Sequence, residues 1–217
     1  AKELKQTLNE TLRMEQNCLE QIRHSINHCK NNIAVCEKQI KKCSSASLAI
    51  LETKKSAFKD NLLIWNTMGH IQMASIEMKE YMKRLSVESI DEWEERDVIK
   101  SVYTAIYETS KKLVDATADI FKFIKHYFPS YDYRAFTDVR KELCRFRESN
   151  TSELTRVRNT IDAHRDVEVS VQIEVIEGLH LANAVQLIVE YEGIINKLGN
   201  ETSPIKELGL KRLQACF

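Results

Sequence analysis

The scarcity of helix-breaking residues constrains this chain more than any other feature. Only two prolines and five glycines occur among 217 residues, whereas strand-rich folds need many turns and therefore many of both residues. Charged residues make up 29% of the chain, and apolar residues recur at the spacing of about 3.6 that is typical of amphipathic helices. We therefore expect an all-α fold, with most residues in helix and no β-sheet.

The first segment of the chain repeats every seven residues. One heptad position holds Leu12, Leu19, Ile26, Ile33 and Ile40. A second position, three residues later, holds Leu8, Ile22, Cys29, Cys36 and Cys43, with Glu15 as its lapse. This seam runs for about five heptads, or ~50 Å of helix, as in a coiled coil. Its partner is either a second copy of the chain or a later helix of the same chain.

An apolar stripe resumes after the seam and continues to Leu85. Between the two patterns, Ser44–Ser47 is either a hairpin turn or a weak stretch of helix. An antiparallel return helix would cover the heptad seam. We predict a coiled-coil-like helical arm or hairpin over residues 1–85.

An acidic segment at residues 86–96 contains serine and aspartate residues suited to capping a helix, and it is the best candidate for a domain boundary. We predict an up-down helical bundle over residues 86–199 and a tail with at most one short helix over residues 200–217. The predicted helices span residues 97–128, 135–147, a segment from 153, and 170–198. The breaks between them rest on Pro129, on Ser149–Ser152 and on Gly199.

Apolar and polar residues alternate strictly from Val167 to Val175, which is the pattern of a strand. A single strand has no partner in a chain that is otherwise helical. We therefore predict an extended connection from Arg165 to Val169, with Ser170 as the N-cap of the final helix.

One short motif suggests chemistry. Arg158 is followed by the polar residue Asn159, and five residues separate Arg158 from His164, which lies in an Ala-His-Arg-Asp run. This arrangement resembles the Arg-polar-(x)n-His signature of the HEPN superfamily (higher eukaryotes and prokaryotes nucleotide-binding domains), in particular its bacterial, abortive-infection-type members. The resemblance covers about residues 90–199 and includes the order of long and short helices.

The resemblance implies a metal-independent endoribonuclease of a bacterial defence or stress system, with Arg158, Asn159 and His164 as catalytic residues. It also implies a homodimer in which both Arg–His pairs line one cleft, RNA as substrate, and an antitoxin or other partner protein. Imidazole can exchange a proton near neutral pH, and a guanidinium can hold a phosphate with two hydrogen bonds. No cofactor and no metal are expected.

The same residues also permit a structural interpretation. Residues six apart on a straight helix point ~120° away from each other, so Arg158 and His164 converge only at a kink, at a helix end or across a dimer. His164 could cap a helix end, and Arg158 could pair with Asp162. Glu108 and Lys111 either reach the same cleft or form a solvated ion pair. The alternative function is a non-catalytic helical interaction protein that assembles through its coiled coil.

Charge and composition give little support for other partners. The net charge is zero, so the whole chain has no electrostatic preference for nucleic acid or membrane. No stretch approaches the ~20 apolar residues of a membrane span. We expect a cytoplasmic protein with free cysteines and with neither DNA nor membrane as a partner. His24, His28 and Cys29 have a spacing that suits a metal only weakly.

Overall fold

The computed structural model describes residues 2–87, 89–163 and 168–216. Its elements in chain order are α1 (Lys2–Ile40), α2 (Ser45–Val87), α3 (Glu92–Tyr127), α4 (Arg134–Val157), a π-helical segment (Arg158–Ala163), α5 (Val169–Glu177) and α6 (Leu181–Gln214). Helix accounts for 91% of the described residues, and no strand occurs among them. The prediction of an all-α fold is confirmed.

The helices α1 and α2 pack against each other as an antiparallel hairpin. The turn between them lies at residues 41–44, and α2 begins at Ser45, the second serine of the predicted break. The seam of α1 faces α2, and its most buried members are Leu12, Ile22, Cys29 and Cys36. Of the two partners that the heptad pattern allowed, the structure therefore shows the helix of the same chain.

The lapse in the heptad pattern, Glu15, makes an ion pair. Its carboxylate lies 2.7 Å from the Lys79 ammonium of α2, and Lys79 also contacts Glu192 of α6 and donates to Ser75 Oγ at 2.6 Å. Burial acts to lower the pKa of Lys79, but the hydrogen bonds and charges of Glu15 and Glu192 outweigh that effect and raise it. Glu15, which breaks the apolar pattern, thus belongs to an ion-pair group that connects α1, α2 and α6.

The main hydrophobic core lies between α2, α3, α4 and α6. Fully buried side chains from these helices include Met78, Ile106, Leu143, Ile188 and Leu198. The second helix of the hairpin contacts α1, α3 and α6. It therefore lies between α1 and the other helices, and it contributes residues to the packing interfaces on both sides.

The helix α3 begins at Glu92, earlier than the predicted start at Asp97. The carboxylate of Asp91 accepts a hydrogen bond from the amide of Glu94 at 2.8 Å, which satisfies a backbone donor of the first turn. The predicted turn around Pro129 is confirmed, because α3 ends at Tyr127 and α4 starts at Arg134.

The predicted break at Ser149–Ser152 is wrong, because α4 continues without interruption to Val157. Asn150 donates from its side chain to the carbonyl of Phe146 at 2.8 Å, and Thr151 does the same to Arg147 at 2.5 Å. These residues therefore satisfy their polar groups inside the helix. The burial of Leu154 and Val157 continues the apolar stripe beyond the expected end.

The predicted end at Gly199 and the predicted tail are also wrong, because α6 runs to Gln214 with Pro204 inside it. Glycine and proline cost helices about 1 and 3 kcal/mol. Here the stripe of buried residues continues through Thr202, Ile205 and Leu208 on the side that packs against α2. This burial compensates for the weak local helix preference.

The alternating segment is helical from Val169 onward. Residues 165–167 lie outside the described residues, and α5 begins at Val169 after Glu168 as N-cap. The prediction of one final helix capped by Ser170 is wrong, because α5 ends at Glu177 and α6 starts only at Leu181. Alternating valines here reflect a short helix with one well buried residue, Val175.

Candidate functional site

Arg158 lies where α4 changes into the π-helical segment. Its backbone N–H still bonds to the carbonyls of Leu154 and Thr155, so the chain does not leave the helix at this point. A π-helix pairs residues five apart, is rare, and is found frequently at functional sites. Two of the predicted catalytic residues, Arg158 and Asn159, are the first two residues of this segment.

The structure brings Arg158 and Asn159 into direct contact. Arg158 Nη1 donates to Asn159 Oδ1 at 3.1 Å, and the guanidinium carbon lies 5.4 Å from the centre of the Tyr107 ring. About a third of the Arg158 side chain is exposed. A guanidinium held by an amide and an aromatic ring, yet open to solvent, has a fixed position from which it can bind an anion.

Glu108 of α3 provides the counter-charge of Arg158. Its Oε1 lies 3.3 Å from Arg158 Nε. Of the two alternatives for these residues, Glu108 therefore contacts Arg158, whereas Lys111 is exposed. The pair joins residues 50 positions apart in the chain, so it also connects α3 to the end of α4.

The third predicted catalytic residue, His164, lies outside the described residues, and so does the side chain of Asp162. Both interpretations of the motif that involve them therefore remain predictions. The segment that leads to His164 is π-helical from Arg158 to Ala163.

A polar cleft of about 370 Å³ lies between α2 and α3, next to the Arg158–Glu108 pair. Glu108 lines it, together with Glu77, Tyr81 and Lys112. Burial raises the pKa of Glu77, and the nearby charge of Lys112 partly opposes this. The sequence pointed to Glu108 but to no residue of α2, because only the packing of α2 on α3 brings these side chains together.

The described residues contain no group of three or more His, Cys, Asp and Glu side chains arranged to hold a metal ion. Cys29 is buried in the seam, and burial raises the pKa of its thiol. His28 instead packs edge-on to Phe58, with ring centres 6.3 Å apart. Cys29 and His28 thus take part in the packing of α1 against α2, whereas His24 is exposed.

Among the described residues, no helix is both long and apolar enough to cross a membrane. Comparisons of the chain with protein-family models, with curated proteins and with solved structures gave no match.

Proposed function

We propose that this protein is a HEPN-like, metal-independent endoribonuclease of a bacterial defence or stress system. The observation that carries the proposal is the hydrogen bond between Arg158 and Asn159 at the start of a π-helical segment. Arg158 and Asn159, the first two residues of the motif, are in contact and partly exposed. They lie in a π-helical backbone geometry, which is common at functional sites. Because about a third of the Arg158 side chain is exposed, RNA can reach its guanidinium.

The proposed reaction uses the RNA's own 2′-hydroxyl as nucleophile. Its oxygen attacks the adjacent phosphorus, a new P–O2′ bond forms, and the P–O5′ bond breaks. His164 takes the proton of the 2′-hydroxyl or returns one to the leaving 5′-oxygen, as a general base or acid. Arg158 stabilises the charge on the phosphate oxygens, and Asn159 orients Arg158.

Glu108 sets the resting state of this site. In the free protein it holds the Arg158 side chain through one hydrogen bond. A phosphate offers the guanidinium two parallel acceptors, and such bidentate pairs are stronger than a single contact. Substrate binding would therefore replace Glu108 by phosphate. A homodimer with two such sites in one cleft belongs to the proposal, as does control by an antitoxin or another partner protein.

The second candidate is a non-catalytic helical interaction protein, in which Arg158 is structural. The Arg158–Glu108 ion pair favours this candidate, because it joins α3 to the end of α4 without any substrate. The sequence suggested that such a protein would assemble through its coiled-coil seam. That seam is covered by α2 of the same chain, so assembly would need another surface.

Single substitutions distinguish the two candidates. In an assay with a fluorescently labelled RNA and excess EDTA, Arg158→Ala and His164→Ala should each lower the cleavage rate by about 10²–10⁴-fold. Arg145→Ala is the matched control, because Arg145 is an exposed arginine on the same helix. It should cleave RNA like the wild type. Wild-type protein that never cuts RNA, together with variants that unfold more easily, would support the structural role instead.

A further inference from the structure

The cleft beside Arg158 has the size and the polar groups of a site for a small ligand. Its volume of about 370 Å³ falls within the roughly 300–1,000 Å³ of small-molecule sites. All of its lining residues come from α2 and α3, so its walls are regular helices. Such a wall holds side chains in fixed relative positions, which favours recognition of one particular shape.

Glu108 connects the cleft to the proposed phosphate site. One side of its carboxylate contacts Arg158, and the same residue lines the cleft. A nucleotide whose phosphate replaces Glu108 at the guanidinium would therefore have its base within reach of the cleft.

Three of the side chains that line the cleft carry groups that can recognise a base. Glu77 presents a carboxylate, and the positive charge of Lys112 is close enough to affect its pKa. Tyr81 lies one helical turn beyond Glu77 and lines the same cleft. The cleft is thus lined by a hydrogen-bond acceptor, a donor and an aromatic residue.

Guanine is the base that matches this set of groups. Its Watson–Crick edge has an acceptor, O6, followed by two donors, N1–H and N2–H₂. Paired donors suit a carboxylate, and an acceptor suits an ammonium group. Uracil has a single donor between two acceptors, and adenine and cytosine each have one amino group beside an acceptor nitrogen. A base can also stack on a tyrosine ring whatever its identity.

We infer that this cleft binds guanine, with the Glu77 carboxylate accepting from N1–H and N2–H₂, Lys112 donating to O6, and Tyr81 stacking on the base. This inference rests on the proposed function, because the phosphate that follows the guanosine is the one that Arg158 holds. The enzyme then cuts RNA on the 3′ side of guanosine.

The test compares cleavage of the four dinucleotides GpA, ApA, CpA and UpA. Wild-type protein should cleave GpA with the highest kcat/KM. Glu77→Gln should lower kcat/KM for GpA by about 10- to 100-fold, the range of one bidentate base contact, and leave the other three within about twofold. Glu80→Gln is the matched control, because Glu80 is on the same helix but does not line the cleft. Lys112→Gln provides a second variant, since Lys112 is exposed and its loss should not impair folding.

Calorimetric binding of guanosine 3′-monophosphate separates this inference from the proposed function. Glu77→Gln should weaken binding of this nucleotide, whereas Arg158→Ala should remove only its advantage over guanosine. Equal cleavage of all four dinucleotides would overturn the guanine site and leave the ribonuclease intact. Guanosine binding that depends on Glu77, without any RNA cleavage, would keep the guanine site and overturn the ribonuclease. If the protein shows no guanosine binding and no preference among the four dinucleotides, the guanine site is overturned.

Discussion

Two ion-pair sites in this protein connect helices in different ways. The Lys79 site joins α1, α2 and α6, and only 12% of the Lys79 side chain is exposed. The Arg158 site joins α3 to the end of α4, and 34% of its side chain is exposed. Lys79 contacts two carboxylates and a hydroxyl, whereas one carboxylate and one amide contact Arg158.

The two sites differ in the free energy that each cation loses when its carboxylate partner is removed. Removing a partner from a buried pair leaves a charge without compensation in a medium where water cannot replace it. A half-exposed pair contributes little to stability, because water and salt screen it. The Lys79 site therefore stabilises the fold, whereas the proposed function requires the Arg158 site to exchange its carboxylate for a phosphate.

The largest expected effect on stability is that of Lys79→Met. The substitution leaves Glu15 and Glu192 close together without the cation between them. Losing one partner of a buried pair typically costs about 3–5 kcal/mol. Because this group is largely but not fully buried, the free energy of unfolding should fall by up to about 3 kcal/mol. Urea unfolding followed by circular dichroism measures it.

A triple variant sharpens the same test. Replacing Glu15 and Glu192 by Leu in the Lys79→Met background removes all three charges. Apolar replacement of a complete buried ion group is often neutral or stabilising, so most of the lost stability should return. If Lys79→Met unfolds like the wild type, the site does not hold the three helices together.

A smaller loss is expected for Gly209→Ala, where α6 approaches α2 closely. A Cβ at this position would lie 2.8 Å from both Asn61 Oδ1 and Ile64 Cδ1. Asn61 cannot easily move, because its amide donates to the carbonyls of Ala57 and Gly209. Overpacking of this kind costs about 1–3 kcal/mol. Gly193→Ala is the control, since its Cβ would meet nothing within 4 Å, and it should stabilise the helix slightly.

The smallest effect on stability is expected for Arg158→Ala. A pair with both side chains more than a third exposed contributes about 0–1 kcal/mol, so thermal unfolding should shift by only a few degrees. Glu108→Gln should behave in the same way. A loss as large as that of Lys79→Met would make Arg158 a structural residue and remove the contrast between the two sites.

The same contrast explains what the sequence could predict. The long first helix was predictable, because a seam of five heptads adds many weak signals that agree. The identity of its partner was not, because the heptad pattern is the same for a helix of the same chain and for a second copy. The role of Glu15 was not, since the pattern identifies a lapse but not the lysine that pairs with it. The helix ends at Ser149–Ser152 and Gly199 were predicted wrongly for a related reason: local breakers were outweighed by burial against distant residues.

The candidate site was predictable only in part. The motif identified Arg158 and Asn159, which are in contact. Arg158 and Asn159 are adjacent in the chain, so a single motif can identify both. The cleft residues Glu77 and Lys112 come from two different helices. Nothing in either helix alone distinguishes them from the other charged residues on its surface. The π-helical geometry of the segment also had no sequence signal.

The proposed activity is tested most directly by the chemistry of the RNA ends. RNA is incubated with the wild-type protein, with Arg158→Ala and with Arg145→Ala in excess EDTA, and the product ends are identified by mass spectrometry. The wild type and Arg145→Ala should produce 2′,3′-cyclic phosphate and 5′-hydroxyl ends, because the internal 2′-hydroxyl is the nucleophile, and Arg158→Ala should produce none. Intact RNA with the wild type, cleavage that EDTA abolishes, or equal cleavage by Arg158→Ala would contradict the proposal.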